Sequence, residues 1–224
     1  MTAMRPPPPR SRTRFPARPL ARRLAIAALG CLLAGCITLL PKQKPAQLYR
    51  FGVSAPPAAA RAGGQSRFSV QAVPMSFARD AAGDAILTVT GDQAAYIAGS
   101  RWVTSASNLF EAAVTRAFDA DAGPARLIAR GEAIRPDYAL KLDVRRFEAR
   151  YDGGQQAPPT VEVELYAGLI QRSTDAVAAP PAARIFQASV PASENSAGAI
   201  ARAFDSAVAK VLREMVAWVD AKGA

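Results

Sequence analysis

Residues 137–151, with the sequence DYALKLDVRRFEARY, carry the strongest strand pattern in the chain. The apolar and polar positions alternate in two sets, namely Leu140, Leu142 and Val144 against Lys141, Asp143 and Arg145. This pattern predicts a half-buried strand, because successive side chains of a strand point to opposite faces. After Arg145 and Arg146 the apolar positions shift by one residue to Phe147, Ala149 and Tyr151. A one-residue slip of this kind predicts a β-bulge and a bend at the two arginines.

Further strands are predicted on both sides of this segment. Glycines 153 and 154 favour a turn, and apolar residues at every second position from Val161 to Leu169 predict a second long strand that pairs antiparallel with the first. Residues 183–190 predict a third. Upstream, short strands are expected at 48–53, 67–72 and 125–130, and residues 85–90 and 93–98 flank Gly91 and Asp92 as in a hairpin.

Two segments have helical periodicity instead. Apolar residues between Ala106 and Phe118 recur every three or four positions, which predicts an amphipathic helix capped near Thr104 and ended by Gly123 and Pro124. Residues 196–220 repeat the pattern over a longer stretch. The sequence therefore predicts an α+β fold: a single domain in which a mainly antiparallel sheet is packed by two long amphipathic helices.

The beginning of the chain has the order of a secretory signal. Seven arginines and no acidic residue precede Cys36, and an apolar run from 24 to 34 leads into Leu33, Ala34, Gly35 and Cys36. These four residues resemble the lipobox of bacterial lipoproteins, in which signal peptidase recognises the residues before a lipid-bearing cysteine. The run is too short for the roughly 20 residues of a membrane-spanning helix. A short signal-anchor and lipidation at Cys31 are the alternatives.

The predicted organisation follows from that cleavage. Residues 1–35 form the signal peptide, residues 36–47 a lipidated tether, and residues 48–224 the folded domain, with a flexible Ala- and Pro-rich segment at 54–66. No cofactor is expected beyond the covalent diacylglycerol and N-acyl chain on Cys36. Two or three acyl chains hold a protein on a membrane essentially permanently.

Charge and residue counts then limit the function. Seven of the 28 basic residues leave with the signal, so 21 remain against 18 acidic ones and the net charge falls from +10 to +3. A nucleic-acid partner is therefore not expected. The chain has no histidine, and no free thiol remains after Cys36 is acylated. Catalytic residues of the Ser-His-Asp and Cys-His types and histidine-ligated metals are excluded, and we predict a non-enzymatic protein.

Several motifs in order resemble one family. The first two are the lipobox and the strand at Leu48-Tyr49-Arg50-Phe51. The third is Ala95-Tyr96-Ile97-Ala98, followed by Arg101-Trp102 and a helix. The last two are Asp137-Tyr138-Ala139-Leu140, which runs into Val144-Arg145-Arg146-Phe147-Glu148, and a closing helix with Trp218-Val219. Together they resemble the ABC-type transport auxiliary lipoproteins. The resemblance implies a periplasmic accessory of an ABC permease, its ATPase and a substrate-binding protein with a mammalian cell entry domain, in a system that moves lipids or other apolar compounds.

The resemblance also bears on location. Ile37 and Thr38 lack the aspartate that usually retains bacterial lipoproteins at the inner membrane, so the periplasmic leaflet of the outer membrane is the implied destination. Whether the domain itself holds a bound lipid stays open. An accessory of outer-membrane barrel assembly or lipopolysaccharide export is the alternative function.

Five positions attract a functional interpretation. Arg145 and Arg146 either bind a partner or phosphate headgroup or simply decorate a bulge, and Trp102 is either an interface residue or a packing residue before the helix. Glu162 and Glu164 lie about 6.6 Å apart along one strand face, near the separation of paired carboxylates in inverting glycosidases. Their apolar neighbours claim the buried face, however, so we expect both glutamates on the solvated side.

Overall fold

The structure is a computed structural model, and it describes residues 45–53, 67–129, 131–172 and 180–223. Nine strands and two helices lie within those ranges. In chain order they are β1 Gln47–Tyr49, β2 Phe68–Ala72, β3 Ser76–Phe77, β4 Ala85–Thr90, β5 Gln93–Trp102, α1 Ala106–Ala120, β6 Ala125–Leu127, β7 Tyr138–Arg150, β8 Thr160–Gln171, β9 Ala182–Pro191 and α2 Ala197–Gly223.

Strand β7 is the central strand of the sheet. One of its edges pairs with β8 along almost its whole length, from Tyr138 opposite Gln171 to Arg150 opposite Thr160, and β8 pairs in turn with β9. Its other edge takes β2, β3 and β4 in succession, all parallel to it. Beyond these, β2 pairs with β6 while β4 pairs with β5 and β5 with β1. The strands β1 and β9 therefore lie at opposite ends of the path β1-β5-β4-β7-β8-β9.

The predicted bulge is confirmed. The register of β7 against β8 shifts between Val144, which lies opposite Leu165, and Arg146, which lies opposite Glu164. Val144 and Phe147 are both buried, whereas Arg145 and Arg146 are both exposed. The extra residue thus keeps the apolar positions on either side of it on the same face of the sheet.

Both helices cover one face of this sheet, called here the inner face. Helix α1 begins after Ser105, whose side chain accepts a hydrogen bond from the backbone N–H of Asn108, one residue after the predicted cap. Helix α2 is longer than predicted and is buried along most of its length. The centre of the core is Phe147, whose ring contacts those of Phe51, Phe77, Trp102, Phe110 and Phe204.

The α+β class, the single domain and the two amphipathic helices are confirmed. The sheet is mixed: the long β7–β8–β9 ladder and the β4–β5 hairpin are antiparallel, as expected, but the short strands pair in parallel. Alternation reports which face of a strand is buried and says nothing of its direction, so the parallel pairs were not foreseen. The two-residue strand β3 was also missed.

Candidate docking surface

Four of the residues singled out in the sequence, Arg145, Arg146, Glu162 and Glu164, lie on the outer face of strands β7, β8 and β9. Inward-pointing side chains of β8, such as Val161, Val163 and Leu165, are buried under α2, and the alternate side chains point the other way. Neither helix covers this outer face in the part of the chain that the structure describes. The outer sheet face comprises Asp143, Arg145, Arg146, Glu148, Arg150, Glu162, Glu164, Tyr166, Ile170, Ile185 and Gln187.

A ladder of alternating charge crosses this face. Glu148 lies directly opposite Glu162, a like-charge pair that would be destabilising if it stood alone. Arginines neutralise both carboxylates, because Arg146 Nη1 lies 3.1 Å from Glu162 Oε2 and Arg150 Nη1 lies 3.0 Å from Glu148 Oε1. The hydrogen bond to Glu148 raises the pKa of the Arg150 guanidinium. The ladder is therefore balanced and keeps its charges in fixed positions.

Arg145 is held differently from Arg146. Its Nε lies 3.2 Å from Asp143 Oδ2, and its guanidinium lies 4.6 Å from the ring centroid of Tyr166 on the neighbouring strand. Both arginines remain substantially exposed. The bulge thus places two exposed guanidinium groups side by side on the outer sheet face, where a partner can reach them.

Apolar groups lie beside these charges. Ile170 is 44% exposed and Ile185 is 46% exposed, and Ile185 stands directly opposite Tyr166. Single exposed apolar residues are ordinary on a protein surface. Here, however, they adjoin an ordered charged patch on a face that no described helix covers. That mixture of aromatic, apolar and arginine groups is typical of protein interfaces.

The edge of β9 extends this surface. The N–H of Ala192 donates to the carbonyl of Pro159 at 2.9 Å, so hydrogen bonds to β8 fall on the even-numbered residues of β9. The N–H and C=O groups of Ala183, Ile185, Gln187 and Ser189 therefore point away from β8, to an edge that pairs with no other strand among the described residues and is called here the free edge. An edge of this length, without a bulge in its register with β8, is a template for an added strand.

Trp102 belongs to the core and not to this surface. Its side chain is 2% exposed and packs edge-on against Phe51 and Phe204 at centroid distances of 4.9 and 5.3 Å. Of the two interpretations open from the sequence, the structure places it as the packing residue between the sheet and α2. It presents no exposed face to a partner here.

The two glutamates considered for catalysis have structural contacts. Glu162 accepts a hydrogen bond from Arg146, and Glu164 Oε2 accepts one from Gln187 Nε2 at 2.8 Å. Both lie on the open outer sheet face, as expected from the alternation. Neither lines the large cavity described next.

A cavity of about 590 Å³ lies between α1 and the sheet. Polar and apolar groups share its wall almost equally, and the apolar side chains include Met75, Val114, Leu127 and Leu142. The polar groups at its mouth include Glu132, whose pKa is lowered by the hydrogen bond from Arg126. Its volume is in the range of small-molecule sites. Sequence alone gave no indication of it, because the same apolar residues would serve in an ordinary core.

The predicted processing residues lie outside the described ranges. Leu33, Ala34, Gly35 and Cys36 precede Pro45, the first residue that the structure describes, and the Ala- and Pro-rich segment 54–66 is likewise outside. Cleavage, lipidation and the boundaries at 36 and 48 stay predictions. Within the described residues, neither helix has both the length and the apolar character that a membrane span requires.

Comparison with known proteins supports one family. The family model described as "ABC-type transport auxiliary lipoprotein component" matches residues 49–216. The crystal structure of protein XCC0632 from Xanthomonas campestris, assigned to DUF330, is similar at 33% identity and a TM-score of 0.66, over 80% of this chain and 97% of that one. A second solved structure, of an uncharacterized protein, shares the fold at 12% identity and a TM-score of 0.57, over 81% of this chain and 100% of that one. A search of curated proteins finds no match.

Proposed function

We propose that this chain, which belongs to the ABC-type transport auxiliary lipoprotein component family, is a lipid-anchored docking subunit that acts in the periplasm without catalysing a reaction. The transporter would be of the mammalian cell entry type, with lipids or other apolar compounds as its cargo. Its partners would be the permease, the ATPase and, in direct contact, the substrate-binding protein with the mammalian cell entry domain.

The outer sheet face is the observation that carries this proposal. The two arginines gain only weak contacts within the fold, an exposed ion pair each and one cation–π contact, yet they lie beside Tyr166 and Ile185 on a face that no described helix covers. Charged groups already held by their own strands lose little side-chain freedom when a partner binds, which lowers the cost of association. The free edge of β9 adds backbone donors and acceptors at the border of the same face.

The anchor would be Cys36, with its acyl chains in the periplasmic leaflet of the outer membrane. Support comes from the sequence order of the first 36 residues and from the family name, which is that of a lipoprotein. A protein fixed to one membrane and docked to a complex of the other would connect the two. The sequence-level alternative, an accessory of barrel assembly or lipopolysaccharide export, uses the same anchor and differs only in the partner.

Co-purification tests the proposal. The lipidated protein is extracted in mild detergent with its neighbours, and the associated proteins are identified by mass spectrometry. We expect the permease, the ATPase and the mammalian cell entry protein to be recovered, and we expect Arg145→Glu with Arg146→Glu to abolish that recovery. The pair Arg79→Glu with Arg213→Glu changes the same charge at exposed sites elsewhere and should have no effect.

Two results would contradict the proposal. Recovery of an outer-membrane barrel without any transporter component would favour the alternative function. Loss of function when Glu162→Gln and Glu164→Gln are combined, with the partners still bound, would favour a carboxylate hydrolase.

A further inference from the structure

Exposed apolar side chains are concentrated at one corner of the domain. Seven large apolar residues are exposed among those the structure describes, and three of them are Leu48 at 62%, Val53 at 52% and Val103 at 55%. These three are also the most exposed of the seven, apart from Tyr96, whose hydroxyl is bonded to the carbonyl of Asp80. A cluster of this kind, in contrast to scattered single residues, indicates a contact surface.

Contacts of strand β1, and of the residues that follow it, place these three side chains near one another. The N–H of Val103 donates to the carbonyl of Tyr49 at 2.8 Å, which fixes Val103 at the end of β1. The N–H of Val53 donates to Asp205 Oδ1 on α2 at 3.0 Å. Leu48 and Val53 line one shallow groove between β1 and the first turns of α2. We call the surface formed by Leu48, Arg50, Val53, Val103 and Arg202 the tether corner.

Cations flank the apolar groups. Arg50 and Arg202 line the same groove, and both are exposed. Among the described residues, Arg202 forms one long ion pair, in which its Nη2 lies 3.9 Å from Glu194 Oε1. The other charges nearby are balanced or shielded: Arg101 pairs with Asp84 at 2.9 Å, and Asp205 is 9% exposed. Exposed arginines around an apolar patch complement a surface of anionic headgroups.

The chain enters the domain at this corner. Strand β1 starts at Gln47, and Pro45, the first described residue, follows Cys36 by nine positions. Nine residues span at most about 32 Å when fully extended. Leu48, the first residue of the tether corner, follows Cys36 by twelve positions, so an acyl chain at Cys36 would keep it within about 43 Å of the bilayer, closer in chain distance than any later strand of the sheet.

We propose that the tether corner lies on the phospholipid surface, with Leu48, Val53 and Val103 inserted among the headgroups and with Arg50 and Arg202 at their phosphates. This inference rests on the anchor proposed above, and it adds an orientation. Five strand-to-strand steps separate β1 from β9, about 24 Å in all. The membrane would thus meet one edge of the sheet, and the outer sheet face with its free β9 edge would remain available to a partner.

Methyl NMR of the lipidated protein in nanodiscs tests the orientation. The nanodiscs contain phosphatidylethanolamine and phosphatidylglycerol, with a paramagnetic label on a fraction of the headgroups. Ile170 and Ile185 are matched controls, because they are apolar and exposed to a similar extent on the outer sheet face. We expect the methyl signals of Leu48, Val53 and Val103 to broaden several-fold more than those of the two isoleucines.

Paired variants distinguish insertion of these side chains into the membrane from simple proximity to it. Replacing Leu48 and Val53 together by serine should reduce the broadening at Val103 several-fold, whereas the matched pair Ile170→Ser and Ile185→Ser should leave it unchanged. Arg50→Glu with Arg202→Glu should also reduce it, and this second pair leaves every apolar group in place.

The possible failures are distinguishable. Protein that never enters the nanodiscs overturns the anchor and this inference together. Protein that enters them with equal broadening at all five methyl-bearing residues, or with the stronger broadening at Ile170 and Ile185, overturns the tether corner and leaves the anchor intact.

Discussion

Deleting one arginine from the centre of the sheet should leave the protein folded. With the bulge, Val144 points inward, Arg145 and Arg146 outward, and Phe147 inward again. Removal of Arg145 converts this into plain alternation and keeps every apolar residue on the inner face. What is lost is an exposed ion pair with Asp143, worth about 0–1 kcal/mol, and a cation–π contact with Tyr166, worth about 0.5–1 kcal/mol. The free energy of unfolding should fall by about 0.5–2 kcal/mol.

Deleting Glu148 is the matched control, because it removes an outward-pointing residue where no bulge exists. The least costly rearrangement would remove the bulge, so that Arg146 points inward and Phe147 becomes exposed. Loss of a buried phenylalanine costs about 3–5 kcal/mol, and an unpaired buried guanidinium costs several more. That sum approaches the whole stability of a typical domain, about 5–15 kcal/mol.

Thermal and urea unfolding measure both variants. We expect the Arg145 deletion to lower Tm by about 1–8 °C with an unchanged urea m-value, and the Glu148 deletion to prevent cooperative unfolding altogether. A folded, cooperative Glu148 deletion, or an unfolded Arg145 deletion, would refute the assignment of inward and outward positions along β7.

Three further outcomes are expected. Gly52→Ala should lower the free energy of unfolding by about 2–5 kcal/mol, because φ is +73° and the new Cβ would lie 2.5 Å from a side chain of α1. Gly91→Ala, with φ +60° and open space around it, should lower it by only about 1–2 kcal/mol. Urea unfolding measures both variants. Hydrogen bonds from Ser69 lower the pKa of Asp137 in the folded protein. The carboxylate therefore stabilises the fold fully above its unfolded pKa, near 3.8, and this stabilisation is lost as the pH falls through the folded pKa. The difference in free energy of unfolding between wild type and Asp137→Asn should shrink below about pH 4. If the cavity holds an alkyl chain, dodecylphosphocholine should shift the methyl NMR signal of Met75 and not that of Met215, which is fully buried in the core.

The sequence was most informative where burial alternates strictly. The phase slip between Val144 and Phe147 predicted the bulge, because only an extra residue keeps both apolar sets on one face. The alternation from Val161 to Leu169 likewise predicted the partner strand. In both cases the local pattern and the tertiary structure obey the same constraint, which is burial of one face of the sheet.

The direction of the short strands, and the strands with which they pair, were harder to predict from the sequence. The short strands β2, β3 and β6 carry three apolar side chains or fewer on the inner face, too few to show to which edge of β7 they belong. Their parallel pairing is made with strands distant in the sequence, which a local pattern does not specify. Trp102 shows the same limit at a single residue, because a tryptophan before a helix fits a surface or a core equally well until its neighbours are known.

The docking claim is tested most directly by site-specific cross-linking in cells. A photoreactive amino acid replaces Ile185 on the outer sheet face or, as the control, Asp119 on the exposed side of α1. Our account predicts a cross-link from position 185, and none from position 119, to the substrate-binding protein with the mammalian cell entry domain. Cross-linking to that protein from position 119 alone, or a cross-link from position 185 only to an outer-membrane barrel, would contradict it.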